Sequence, residues 1–388
     1  MPIKNRFAET HAEITGWRRH LHQYPELLFD VHETAKFVEQ KLREFGITDI
    51  TTGIGRTGVV AVIEGKTNTS GRTIGLRADM DALPIHEATG LEYASKIPGK
   101  MHACGHDGHT AMLLGAAQYL AETRNFDGRC VLIFQPAEEG GGGGNEMVKD
   151  GLMDRWDIHE VYSIHNMPDH PVGEFAIRPG ALLAATDQFD IVIEGQGGHA
   201  AAPHEAIDAN LAAAHVLVAL QSIASRNVDP IKQVVVSVST LRSDTDSYNV
   251  LPQQVILRGT VRTLADDIRA LTEERLRAVV THTAAAYQCT AEITYHGGYP
   301  VTVNHEENTV FAADAAESIT PGVWRDTPPI MAGEDFSYML NARPGAYIMI
   351  GNGDGPTVHH PKYDFNDDAI PAGCSWFAEM VETRLPAA

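Results

Sequence analysis

The chain has 388 residues and a formal net charge of −21, from 30 Lys and Arg against 51 Asp and Glu. So acidic a surface argues against nucleic acid and anionic membranes as partners, because both are polyanions; it leaves a small-molecule substrate open. Apolar residues at 43% and charged residues at 21% suit a globular enzyme with material for two or three domains.

Cys104, Cys130, Cys289 and Cys374 lie far apart and form no paired framework, which fits a reducing compartment. The opening MPIKNRFAETHAEI lacks the apolar run of a signal peptide, and no stretch approaches the ~20 apolar residues of a membrane helix. A cytoplasmic, soluble protein is expected.

In chain order, the pattern predicts a helix from about Ala8 to Tyr24, broken by Pro25, and a second from about His32 to Phe45. Short apolar runs follow, each bounded by turn residues: GVVAVIEG from Gly58, TIGLRAD from Thr73, CVLIFQ from Cys130 and EVYSIH from Glu160. Continuous runs of this length predict strands buried on both faces. The helical stretch HTAMLLGAAQYLAET from His109 lies between two of them, giving an α/β layer with a mixed, mostly parallel sheet.

Near residue 182 the pattern changes to strict alternation. In DQFDIVIEG, Phe189, Ile191 and Ile193 share one face, and QQVILRGTVRT does the same with Val255, Leu257 and Val261. Alternation predicts strands with one wet face. Helices are expected over about Ala206 to Ser225 and Ala265 to Tyr287, with a last strand at AEITYH. The order strand, helix, strand, strand, helix, strand is a ferredoxin-like α+β unit. After about Pro300 come a helix near Thr309 to Ser318, the run AYIMIGNG and a helix from about Pro371. The expected organisation is a discontinuous α/β domain, 1–181 and 297–388, with an α+β domain, 182–296, inserted in it.

The densest chemistry is HACGHDGH, which packs His102, Cys104, His106, Asp107 and His109 into eight positions before an apolar helix. Thiolate and imidazole suit zinc and similar divalent ions. QPAEEG places Glu138 and Glu139 just after the run CVLIF. Adjacent carboxylates at a strand end point in different directions, so one can bind a metal while the other moves a proton to and from a metal-activated water. Asp79 and Asp81 end TIGLRAD and its MD extension, His165 ends EVYSIH, and His359 and His360 follow AYIMIGNGDGPTV. Open α/β sheets gather ligands beyond the carboxyl ends of their strands. In the inserted domain, His199 on a glycine-rich loop, Asn249 and Arg262 are polar groups near strand ends.

Taken together, RRHLHQYPELLFDVHETA, LRADMDALP, MHACGHDGHTAMLLG, VLIFQPAEEG, GGHAAAPH, NVLPQ, GTVRT, GEDFSYML and HHPKYDFND resemble the metal-dependent amidohydrolases of the zinc aminoacylase and carboxypeptidase superfamily. The resemblance runs nearly the whole chain and is strongest to the branch of bacterial hippurate hydrolases, N-acyl-amino-acid amidohydrolases and plant auxin-conjugate hydrolases. It implies that the inserted domain is a lid and dimerisation domain of a homodimer or higher homo-oligomer. It also implies two divalent ions per subunit, Zn²⁺ or Mn²⁺ with Co²⁺ or Ni²⁺ as alternatives, held by Cys104, His106, Glu139, His165 and His359. By the same resemblance Cys104 bridges the ions, His359 is the ligand rather than His360, and Glu138 is the general base and acid. His199 is implied to polarise the scissile carbonyl from a partner subunit, while Asn249 and Arg262 hold the substrate. Glu334 and Asp335 in GEDFSYM match a family segment near the site without an assigned role. The sequence departs from the family at Ala209, where a proline is common, and in the five-glycine run 140–144; both bear on loop shape.

The expected activity is hydrolysis of the amide bond of N-acyl amino acids, hippurate-like or N-acetylated, to a carboxylate and a free amino acid. Two other readings compete: a hydrolase using Cys104 as nucleophile, and a dimeric binding protein of the same fold without turnover.

Overall fold

The computed structural model describes residues 4–387. It divides into two compact units. Of the described residues, the larger takes those within 1–180, 303–328 and 335–388; the smaller takes 181–302 and 329–334.

The larger unit is built on an eight-stranded sheet. At its centre, Arg129–Gln135, Thr73–Asp79, Glu160–Pro168 and Gly345–Gly353 lie side by side and parallel. Thr73–Asp79 is buried at every position, which is why its sequence shows no alternation: neither face meets water. Gly58–Glu64 and Ile50–Ile54 add antiparallel strands at one edge, so the sheet is mixed, as expected. Helices Asn5–Gln23, His106–Thr123 and Ile370–Arg384 pack against one another, and their apolar faces join the sheet in a single core that includes Ile14, Leu76, Leu113, Phe134, Ile348 and Trp376. Because the four central strands are parallel, their carboxyl ends share one edge. The segments carrying Asp81, Glu138 and Glu139, and His359 leave from that edge, and His165 lies near it within Glu160–Pro168.

The smaller unit is a four-stranded antiparallel sheet in the order Val234–Ser243, Gln254–Thr263, Ala185–Glu194, Thr290–Gly297. Numbered along the chain this is 2-3-1-4, the ferredoxin-like arrangement. Phe189, Ile191 and Ile193 are buried under Ala209–Ser222 and Asp266–Ala286 with Val255, Leu257 and Val261. The first of these helices is shorter than the pattern predicts. Asp208 caps it by accepting from the N–H groups of Asn210 and Leu211, so it starts at Ala209, and residues 223–227 continue as a single π-helical turn. Among the described residues no helix is long and apolar enough to cross a membrane.

Candidate metal centre

Three loops and the end of strand Glu160–Pro168 converge at the carboxyl edge of the larger sheet. Cys104 Sγ lies 3.4 Å from His165 Nε2, and His359 Nε2 lies 3.2 Å from Glu139 Oε1. His106 Nε2 is 4.0 Å from the same Glu139 oxygen. Donor atoms within 4.8 Å of one another form overlapping sets in the larger unit: Cys104, His106 and His165; Cys104, Glu139 and His359; His106, Glu138 and Glu139; and Asp79, His106 and His109. Cys104 belongs to two of these sets and His106 to three. The five residues singled out as metal ligands are therefore all brought together, with Glu138 beside them.

Local backbone makes this possible. Gly105 has φ 90°, and a Cβ there would sit 2.3 Å from the Asn166 amide nitrogen and 2.7 Å from the Tyr363 hydroxyl, so only glycine lets Cys104 and His106 turn toward one site. His359 at φ 67° and Ala137 at φ 53° are non-glycine residues in the left-handed region, strain of the kind that collects at functional sites. Two glycines of the five-glycine run are also explained. A Cβ on Gly143 would lie 1.7 Å from the Pro136 carbonyl oxygen, and one on Gly144 would lie 2.8 Å from that of Asp335.

Neighbouring groups then sort the candidates. Asp81, fully buried, accepts from the backbone N–H of Glu138 at 2.9 Å and of Glu139 at 3.1 Å. Its carbonyl oxygen accepts from His106 Nδ1 at 2.8 Å, which turns Nε2 of His106 toward the donor cluster. His109 has both ring nitrogens engaged: Nδ1 donates to Asp79 at 2.7 Å and Nε2 accepts from the Asn166 N–H at 3.0 Å. His102 is buried and belongs to none of these donor sets, and burial pushes its pKa down to about 3. His360 Nδ1 accepts from the N–H of Lys362 and shapes a turn. Asp335, also buried, accepts from Arg77, Gln135 and the N–H of Gly144; Arg77 in turn donates to Asp79 at 2.7 Å. Arg77 and Asp79 of this network lie in a fully buried strand; Asp79 and Asp335 are among the residues the sequence singles out, whereas Arg77 leaves no mark in its apolar pattern. Asn166 and Tyr363 were likewise missed, although the SIHN and KYDFND strings contain them.

The electrostatics call for a cation. Burial, then Glu139, Glu138 and Asp79, push the Cys104 thiol well above its ordinary pKa. Burial alone would depress His106, but Asp79, Asp81 and Glu139 overcome it and raise the imidazole to about 10. His106 Nε2 and Glu139 Oε1 are buried with no well-aligned hydrogen bond. Orphaned donors of opposite type facing one another amid surplus negative charge, with S, N and O atoms in the set, fit a divalent metal.

In the smaller unit, His199 pairs with Val250 across a two-stranded ribbon, and the N–H of Ala200 donates to the Asn249 carbonyl. His199 and Asn249 both line an open depression of about 490 Å³ with Asp244 and Pro252. Arg262 is not among its lining residues; it sits on Gln254–Thr263 opposite Thr186 and Val235. The structure therefore joins two of the three polar groups predicted for this unit.

Comparison with known proteins places this geometry in a class. Residues 75–383 match the peptidase family M20/M25/M40, and the chain belongs to that family. It is 43% identical to an N-acetyl-L-cysteine deacetylase of Bacillus subtilis over 96% of this chain and 88% of that one. It is 41% identical to a hippurate hydrolase of Campylobacter jejuni over 95% and 96% of the two chains. A crystal structure of a dinuclear metal-binding M20 peptidase from Bacillus subtilis superposes with a TM-score of 0.85 at 34% identity, covering 98% of this chain and 100% of that one. The chain is thus a metal-dependent amidohydrolase.

Proposed function

We propose that the protein hydrolyses the amide bond of small N-acyl amino acids, releasing a carboxylate and a free amino acid. The observation that carries this reading is the pair of donor triads sharing Cys104, with Glu138 in the adjoining set. Cys104, His106, Glu139, His165 and His359 would hold two divalent ions, zinc or manganese. Such ions supply Lewis acidity, lowering the pKa of water and polarising a carbonyl.

The chain's own groups carry the protons. Glu138 takes a proton from the attacking water at a carboxylate oxygen and returns it to the departing amine nitrogen. Asp81, bonded to the backbone N–H of both Glu138 and Glu139, sets where that carboxylate points. His199 is our candidate donor to the developing oxyanion, supplied by a partner subunit of a homodimer, with Asn249 and Arg262 as candidate contacts to the substrate. The named activities of the relatives support an acetyl or benzoyl acyl group.

A Cys104 nucleophile is disfavoured. Its sulfur lies in both donor triads, so a bound ion would engage the thiolate that an attack on a carbonyl needs.

The test is reconstitution of metal-free protein with each of several divalent ions, followed by a panel of N-acyl amino acids. Chelation should abolish turnover and metal restore it. Glu138→Gln should bind metal as wild type does yet lose ~10²–10⁴-fold in kcat; substantial remaining turnover would remove Glu138 from its role.

A further inference from the structure

The string KYDFND follows His359 and has no place in the chemistry above, yet its Tyr363 is fully buried against the site. We propose that Tyr363 and Asn166 are positioning residues that lock three ligand-bearing segments into one geometry; this rests on the metal reading just given.

The Tyr363 hydroxyl donates to the Asn166 side-chain oxygen at 2.6 Å. The Asn166 amide nitrogen donates to the backbone carbonyl of Cys104. Its backbone N–H donates to His109 Nε2 at 3.0 Å, and His109 continues to Asp79 at 2.7 Å. Asn166 is the neighbour of His165 in the chain. The N–H of His359 donates to the carbonyl of Ala103 at 2.7 Å, and that of Tyr363 to the carbonyl of His360 at 2.9 Å. One hydroxyl and one carboxamide thus tie the Cys104–His106 loop, the end of strand Glu160–Pro168 and the His359 loop together. Gly105 confirms how closely the pair approaches, because a single methyl there would collide with both.

The chain of bonds also has a fixed polarity. Asn166 Oδ1 takes the phenol proton, which turns the amide N–H groups toward Cys104 and His109. Burial keeps the phenol protonated, pushing Tyr363 well above its ordinary pKa. Without the hydroxyl, the carboxamide loses the partner that sets its orientation, and the Cys104 carbonyl loses a defined donor. Partners one bond removed from metal ligands typically alter metal affinity ~10–100-fold.

The experiment uses Tyr363→Phe, which keeps the ring and its packing, and Asn166→Ser as a second variant. Ser375→Ala, which deletes a buried hydroxyl bonded to Pro371 on the last helix, is the control for loss of a buried hydrogen bond. Circular dichroism and metal-free melting report folding. Zn²⁺ affinity is read by competition with a chromophoric chelator, and Co²⁺ loading by its thiolate charge-transfer absorption. Both site variants are expected to weaken Zn²⁺ binding ~10–100-fold and to shift the Co²⁺–thiolate band, with Ser375→Ala unchanged in both. Wild-type affinity in folded Tyr363→Phe, or equal weakening in Ser375→Ala, overturns the proposal. Failure of the wild-type protein to bind either ion would instead overturn the metal reading on which it stands.

Discussion

Asp81→Asn isolates how one buried side chain positions the proton-transfer group. Asp81 lies two residues beyond strand Thr73–Asp79 and accepts both the Glu138 and Glu139 N–H groups with one carboxylate. Asparagine has the same shape but one acceptor; its NH₂ must face one of the two N–H donors. A charge-assisted bond worth ~1.5–3 kcal/mol is lost, and one buried donor is left without a partner. Part of this is offset, because burial holds the Asp81 carboxyl above its usual range and the neutral amide avoids that desolvation cost. The expected net loss of stability is about 1–2 kcal/mol. Activity should suffer more: a displacement of about an ångström at a reacting group can cost ~10²-fold. The assay compares kcat and KM on an N-acyl amino acid with metal content and melting temperature. A kcat reduced ~10²-fold with metal retained is expected. A kcat within about threefold of wild type would show that the N–H clamp does not position Glu138.

His359 and His360 should separate cleanly. His359→Ala removes a nitrogen 3.2 Å from Glu139 and is expected to lower divalent affinity by at least ~10-fold, whereas His360→Ala should change it little, as measured by chelator competition. A pH dependence follows from His22. Burial opposes its charge, but the bond to Asp107 at 2.8 Å and the nearby Glu87 raise it from 6.5 to about 9. Its folded pKa exceeds its unfolded value, so its contribution is fully present below about pH 6.5 and fades as pH rises through about 9. The difference corresponds to on the order of 3 kcal/mol. In denaturant titrations of metal-free protein, the stability gap between wild type and His22→Gln should therefore narrow between about pH 6 and about pH 9.5. A constant gap would show that His22 stays neutral.

Much of the architecture was legible because burial leaves a local trace. TIGLRAD reads as a two-face buried strand and is one; DQFDIVIEG reads as half-wet and is half-wet. Parallel strands also make a topological promise, that whatever follows their carboxyl ends will meet. By that rule segments as far apart as QPAEEG and TVHHP belong at one place. Helix ends were less legible. Asp208, rather than the start of the apolar pattern, sets where Ala209–Ser222 begins.

What the sequence by itself determined was the inventory: which donors exist, which strand ends present them, and that the middle of the chain changes to one-sided strands. What only the tertiary structure decided was how those donors differ. The resemblance singles out His106 rather than His109, three residues later, but only the fold shows the physical difference. The first leaves Nε2 unbonded beside Glu139, while the second spends both nitrogens on Asp79 and Asn166. Likewise Arg77 in a buried strand and Tyr363 in a polar loop look unremarkable as letters, yet their partners are Asp335 and Asn166. The physical reason is that hydrogen-bond saturation is a long-range property. A side chain's protonation and its freedom to bind an ion depend on groups supplied by other strands, and only the folded chain brings those groups within bonding distance.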